Sequence, residues 1–242
     1  MSALALSITS FGKPAPMRLN PPYLFWPESN NKLRHCGRFS TLKNLMKEIR
    51  NIIKEQRSQL SEKELRLASK AITERIKSFK FSKELTKIGI YYAVNNEVDV
   101  HPLCEIFWQE NKKVYLPIVE KKKLVFGEYR NTSNLKNNRF QIPEPIVDIE
   151  SQISAFELDL IFMPLVAFDP IGNRIGMGGG FYDRTLDNKQ LNNNIKKPIL
   201  VGVACEFQKQ NHIQPDPWDI PLDMIFTESK IYHSDIDSDV SE

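Results

Sequence analysis

Beginning at Thr41, the apolar residues Leu42, Leu45, Met46, Ile49, Ile52 and Ile53 recur at helical spacing and predict an amphipathic first helix. Lys43, Lys47, Arg50, Lys54 and Arg57 recur at steps of four and three on another face of it. Ser61-Glu62-Lys63-Glu64 has the form of a capping box, in which hydroxyl and carboxylate each satisfy an orphan backbone N–H. It predicts a second helix through Leu65, Ala68, Ile72 and Phe79. After Phe79 the pattern changes to short apolar runs. Residues 87–94 (KIGIYYAV), 112–119 (KKVYLPIV), 158–168 (LDLIFMPLVAF) and 198–207 (PILVGVACEF) read as buried strands, and 223–227 (DMIFT) as the last one. A turn, NNEV, follows the first run and leads into a helix capped by Asp99, and residues 123–130 (KLVFGEYR) read as a hairpin or an insertion. Strands alternating with helices predict an α/β fold: a Rossmann-like, largely parallel sheet covered by helices, with an N-terminal helical pair.

The first 40 residues carry no such period and are punctuated by PAP, NPPY and WPESNN. Three readings stand: a disordered or loosely attached extension, an organellar transit peptide rich in Arg and Ser, or an extension upstream of a natural start at Met46. The expected organisation is an extension over 1–40, one α/β domain over 41–230 and an acidic tail over 231–242, where Asp235, Asp237, Asp239 and Glu242 gather.

Composition narrows the function. The 242 residues are 41% apolar, enough to bury a core, but no run approaches the roughly 20 apolar residues that cross a bilayer. Three cysteines lie far apart without a CxxC, and four histidines show no HExxH, which disfavours a disulfide framework and a zinc site. A reducing, cytoplasmic setting is expected, or a mitochondrial one if residues 1–40 are a transit peptide. The net charge of +3 is uneven: residues 1–45 hold six Lys/Arg and one acid, and the rest holds 27 Lys/Arg against 29 acids. A near-neutral body gives no case for a nucleic-acid partner.

Five of the ten glycines fall between Gly172 and Gly180, in AFDPIGNRIGMGGGFYDR directly after a buried strand. Gly176, Gly178, Gly179 and Gly180 allow backbone N–H groups to turn inward and approach an anion, and a helix starting at Phe181 would add its N-terminal dipole. Arg174 offers a fork of donors for phosphate oxygens, and Asp183 an oxygen ligand for Mg2+. The segment is neither a Walker A loop nor a GxGxxG turn, and a tight strand-to-helix connection is the bland alternative. The basic stripe is either a solvated face or a phosphate contact. Glu97 is either a turn carboxylate or a ligand group, Asp219 either a loop acid or a metal ligand, and Phe140 either a core or a lid aromatic.

Ala167-Phe168-Asp169, Gly172-Asn173-Arg174, Gly176 and Gly178-Gly179-Gly180-Phe181-Tyr182-Asp183-Arg184 closely resemble the signature of the 5-formyltetrahydrofolate cyclo-ligase family, also called 5,10-methenyltetrahydrofolate synthetases. The resemblance runs from about Lys43 to Glu228 and includes YYAVNNEVDV, FQIPEP and DIPLDMIFTE. It implies an ATP- and Mg2+-dependent ring closure of a folate without a covalent enzyme nucleophile; separately, a monomer is expected. It implies ATP contacts from Arg50 and a lysine of the first helix, with Lys47 or Lys43 as the candidates because Met46 stands where the family often has lysine. Arg174, Gly176, Gly178, Gly179, Gly180, Phe181 and Tyr182 resemble the rest of the nucleotide loop, with Arg174 the catalytic candidate. Glu97 matches a carboxylate for the pterin's amino edge, with Tyr92, Phe140, Phe181 and Tyr182 lining the substrate pocket, and Asp183 and Asp219 match magnesium ligands. Phe181 replaces a frequent tyrosine, keeping the ring face and losing a hydroxyl. A paralogue using the same loop in another salvage reaction, and a non-catalytic ligand- or RNA-binding module, are the rival readings.

Overall fold

Two long helices open the described chain. α1 (His35–Ser58) begins ahead of the expected Thr41, and α2 (Glu62–Ser78) starts at its capping box: Glu64 N–H donates to Ser61 Oγ at 3.3 Å, and Ser61 N–H donates to the Glu64 carboxylate at 2.9 Å. The computed structural model describes residues 35–79, 81–187 and 198–234, all within one unit, Leu33–Glu242. Most of the expected extension and the acidic end beyond residue 234 lie outside the described residues.

Next come β1 (Lys87–Gly89), α3 (Pro102–Gln109), the hairpin β2 (Lys113–Glu120) and β3 (Lys123–Tyr129), and the small ribbon β4 (Leu135–Asn137) and β5 (Pro143–Pro145). β6 (Leu160–Pro164) leads into a second ribbon, β7 (Ala167–Phe168) and β8 (Arg174–Ile175), and then α4 (Phe181–Leu186). The described fold closes with β9 (Ile199–Val203), β10 (Met224–Phe226) and β11 (Ile231–His233).

The main sheet has the order β11-β10-β9-β6-β1-β2-β3. Its inner five strands are parallel, and β3 and β11 run antiparallel at the two edges. Side chains alternate between two layers, as a strand's period of two requires. Ile88, Leu160, Phe162, Val201 and Phe226 pack with Ile72 and Ile76 of α2 and Leu103 and Phe107 of α3. Ile161, Met163, Leu200 and Ile225 face the opposite layer, which includes Leu186 of α4. The helical pair divides its work: α2 lies on the sheet, whereas Ile49 and Ile53 of α1 pack on Val166, Ala167 and Ile175 of the β7–β8 ribbon. Burying a side chain such as Ile53 contributes roughly 1.5–3 kcal/mol. Among the described residues no helix is long and apolar enough to cross a membrane.

Several element boundaries differ from the pattern's reading. Only Lys87–Gly89 of KIGIYYAV is strand: Ile90 N–H makes one more bond to the Tyr115 carbonyl, at 2.9 Å, before the chain leaves the sheet. The 158–168 run splits because its last residues fold back in the β7–β8 ribbon. Asp99 accepts from His101 N–H at 2.9 Å, but the helix cap itself is His101, ahead of Pro102. DMIFT is not the final strand. Thr227 Oγ1 accepts from the N–H groups of Ser229 and Lys230, and the turn so made returns the chain as β11, inside the stretch expected to be tail.

Candidate active site

Numbered along the chain, the five parallel strands lie in the order 2-1-3-4-5, so the direction of winding reverses between β1 and β6. A crevice opens at the carboxyl ends of strands on either side of such a reversal. Two segments leave from those ends: residues 90–97 from β1, and the ribbon with the glycine loop from β6.

The glycine loop is anchored from below by Asp169, which is fully buried. Its Oδ1 accepts from the N–H groups of Ile171 and Asn173, and its Oδ2 from Asn173 Nδ2 and Ile213 N–H, all at 2.9–3.2 Å. Gly172 sits at φ +90 with its carbonyl accepting from Leu222 N–H at 2.9 Å; a Cβ there would lie 2.4 Å from the Leu222 carbonyl oxygen. The loop carrying Asp219 and Ile220 is thereby stitched to the turn before Arg174. Arg174 is 6% exposed; Nη2 donates to Asp183 Oδ1 at 2.5 Å and Nη1 to the Ile220 carbonyl. These bonds use two of the five guanidinium donors.

Helix α1 docks onto the same loop. Arg50 Nε donates to the Gly176 carbonyl at 2.8 Å and lies beside Gly178, which has φ +98. Lys43 and Lys47 stay exposed on that helix. Gly180 caps α4 at φ +60, and a Cβ on Gly176 would meet nothing within 4 Å, so the space over the loop is open.

On the other side of the crevice, Glu97 is 7% exposed and its Oε2 accepts from Val94 N–H at 3.1 Å. Burial pushes its carboxyl up, opposed by that hydrogen bond and by Arg57. Tyr92 and Glu97 line a cavity of about 450 Å3 together with Leu65, Asn95, Asn96 and His101. Tyr182, on α4, is within electrostatic reach of both Glu97 and Arg174: burial and the Glu97 charge push its hydroxyl up, and Arg174 opposes them. Phe140 is 49% exposed, its ring 5.6 Å from that of Phe181 in an edge-to-face arrangement. Asn138 holds the Phe140 loop, accepting from Phe140 N–H at 2.8 Å and donating to the buried Glu144 at 2.7 Å.

Asp183 and Asp219 are close enough to interact. Burial pushes the Asp219 carboxyl up; a hydrogen bond from Asp216 N–H opposes this, and the Asp183 charge adds to it. Among the described residues no group of three or more His, Cys, Asp or Glu side chains gathers as a metal cage.

The 5-formyltetrahydrofolate cyclo-ligase family model matches residues 42–228. The chain belongs to that family. It is 37% identical over 156 residues to the 5-formyltetrahydrofolate cyclo-ligase of Haemophilus influenzae, covering 63% of this chain and 81% of that one. Against the Escherichia coli K12 protein of the same name it is 39% identical over 148 residues, 60% and 79% of the two chains. The solved 5,10-methenyltetrahydrofolate synthetase of Aquifex aeolicus superposes with a TM-score of 0.70 at 31% identity, covering 82% of this chain and 97% of that one.

In this cyclo-ligase fold the crevice brings together Arg50, the glycine loop, Arg174, Tyr182, Asp183 and Asp219, with Glu97 and Tyr92 opposite. Lys47 is not drawn to the loop by any described contact. Two residues with clear positions were given no role by their sequence context. Asp169 shapes the turn that aims Arg174. Arg57, read as one more member of the basic stripe, is 2% exposed and points to Asn95 and Glu97. Its signal was its phase, because Ile49, Ile53 and Arg57 follow one another at i+4 on the buried face.

Proposed function

We propose that this protein converts 5-formyltetrahydrofolate and ATP to 5,10-methenyltetrahydrofolate, ADP and phosphate. The formyl oxygen attacks the γ-phosphorus, the bond to the ADP oxygen breaks, and N10 then displaces phosphate from the activated carbon. No enzyme nucleophile enters this sequence; the chain's residues align two ligands and neutralise dispersing phosphate charge. The observation that supports the reading is the glycine loop gathered with Arg50 and Arg174 on one side of the crevice, with Glu97 and Tyr92 lining a cavity on the other. An ATP on the loop and a folate against Glu97 would then meet near Tyr182, on which both Glu97 and Arg174 act electrostatically.

In this reading Arg50, Arg174 and the N–H groups of Gly176 to Gly180 hold the phosphates, and Lys47 or Lys43 approaches them from α1. Glu97 accepts from the pterin's amino edge, and Tyr92, Phe140, Phe181 and Tyr182 wall the folate. Asp183 and Asp219 fit Mg2+: two half-buried, mutually repelling carboxylates make a donor pair that a hard cation relieves. Mg2+ usually takes one or two carboxylates plus substrate phosphates rather than a protein cage. When bound, it would supply neutralisation of phosphate charge. A monomer in a reducing compartment, cytoplasmic or mitochondrial, belongs to the same proposal.

Mixing the protein with 5-formyltetrahydrofolate, ATP and Mg2+ is expected to raise the methenyltetrahydrofolate absorbance, and omitting ATP to abolish the rise. Undiminished product without ATP would refute the mechanism.

A further inference from the structure

We propose that Arg57 is the positioning residue for Glu97, holding the turn that presents this carboxylate to the folate and facing it with a positive charge. The inference rests on Glu97 being the pterin contact.

A guanidinium that is 2% exposed is costly unless its donors and charge are met. Arg57 meets them within one short turn. Its Nε donates to the Asn95 carbonyl at 2.9 Å, and its own carbonyl accepts from Asn96 Nδ2 at 3.1 Å. Its Nη2 stands 3.8 Å from Glu97 Oε1. The turn needs such a hold, because Asn95 and Asn96 are consecutive left-handed residues, at φ 51 and 57.

Arg57 does not grip the carboxylate directly: a bidentate Arg–carboxylate pair would have N···O distances of about 2.7–2.9 Å. Here it bonds to the backbone and offers the carboxylate charge alone, because 3.8 Å exceeds hydrogen-bonding range. Oε2 is occupied by Val94 N–H, so Oε1 is left facing a cation with capacity to accept from a ligand. Tyr91 and Tyr182 stand near Glu97, both hydroxyls pushed up by burial and by Glu97 itself, and Tyr92, Asp99 and His101 line the same cavity. Arg57 therefore supplies the positive charge that counters burial of Glu97. The helix that carries it also holds Arg50 on Gly176, so one rigid element sets both halves of the crevice.

The test is calorimetric titration of the full chain with 5-formyltetrahydrofolate alone, across about pH 5 to 9, and separately with ATP. Wild-type affinity for the folate should fall as pH drops through the raised Glu97 value, and Glu97→Gln should weaken it at neutral pH. A wild type that binds no folate, or an unaffected Glu97→Gln, overturns the reading of Glu97 and this inference with it. Given that both behave as expected, Arg57→Gln should weaken folate by at least about 10-fold, as expected when a charged contact is lost. It should also move the acid limb upward by about one pH unit or more, as removal of a cation within 4–6 Å requires, and leave ATP affinity within a few-fold. Unchanged folate binding, or equal losses for ATP and folate, overturns the proposal. Arg57→Lys keeps a cation and loses the bond to Asn95, so it should hold the acid limb in place while weakening folate several-fold. It carries the test where Arg57→Gln does not fold, and full folate affinity in it overturns the proposal.

Discussion

Replacing Arg174 by lysine keeps the charge and removes the fork, and the structure lets the two consequences be separated. The guanidinium spans the Asp183 carboxylate and the Ile220 carbonyl at once, whereas a lysine ammonium is a point charge that reaches one of them. One charge-assisted hydrogen bond is lost, about 1.5–3 kcal/mol. Solvent screens little of it, because the side chain is only 6% exposed. For a chain of this size each kcal/mol moves Tm by about 2–4 °C, so a drop of about 3–12 °C is expected. Where the melt shows the variant folded at assay temperature, its kcat is untouched by the stability loss. If the remaining guanidinium donors hold phosphate oxygens, the chemical step loses a preorganised donor worth about 2.7–4 kcal/mol, or about 100- to 1,000-fold in kcat. Steady-state methenyltetrahydrofolate absorbance at saturating ATP and folate, with a thermal melt of the same preparation, measures both. A lowered Tm with kcat within a few-fold of the parent would refute the catalytic part and leave Arg174 as a brace between Asp183 and Ile220.

Two alanine substitutions in the glycine loop should diverge. Gly172→Ala places a methyl 2.4 Å from the Leu222 carbonyl oxygen at φ +90 and should cost more than about 2 kcal/mol in a denaturant melt. Gly176→Ala meets nothing within 4 Å and should melt normally yet bind ATP several-fold more weakly; full ATP affinity would refute phosphate binding over that residue. Burial pushes the Cys104 and Cys205 thiols up to about 12, so both are thiols at pH 8 and should resist iodoacetamide in the native protein while labelling in denaturant. Peptide mapping that found native Cys205 rapidly alkylated would refute its burial.

Local rules made the long elements legible: the apolar line of α1, the capping box of α2 and the continuous apolar runs of β2, β6 and β9. The glycine loop was legible because three left-handed positions, at Gly172, Gly178 and Gly180, leave a mark in composition. Short or broken elements were not. A three-residue β1 and a two-residue β7 carry too few residues to show a period, and their limits are set by where the chain turns to build the crevice. The contact between Arg50 and Gly176 joins segments far apart in sequence, and no spacing rule reports it. Arg57 was misread for a related reason. Basic residues on a helix look alike until their phase is compared with the apolar line, and the packing of Ile49 and Ile53 on the ribbon shows that Arg57, in their phase, is the one carried inward.

The central pairing of β1 with β6, Ile88 against Leu160, has a consequence for how the chain acquires its ligands. Pairing of strands so distant in sequence closes a large loop, and such contacts form late and slowly. The crevice lies at the end of that pair, and the Arg174 fork is completed only by Ile220, still later in the chain. A nascent or partly folded chain therefore has neither half of the crevice in register. ATP and folate would bind the finished fold alone and draw the folding equilibrium toward it by mass action. Nucleotide supply would then influence the amount of folded protein as well as its turnover.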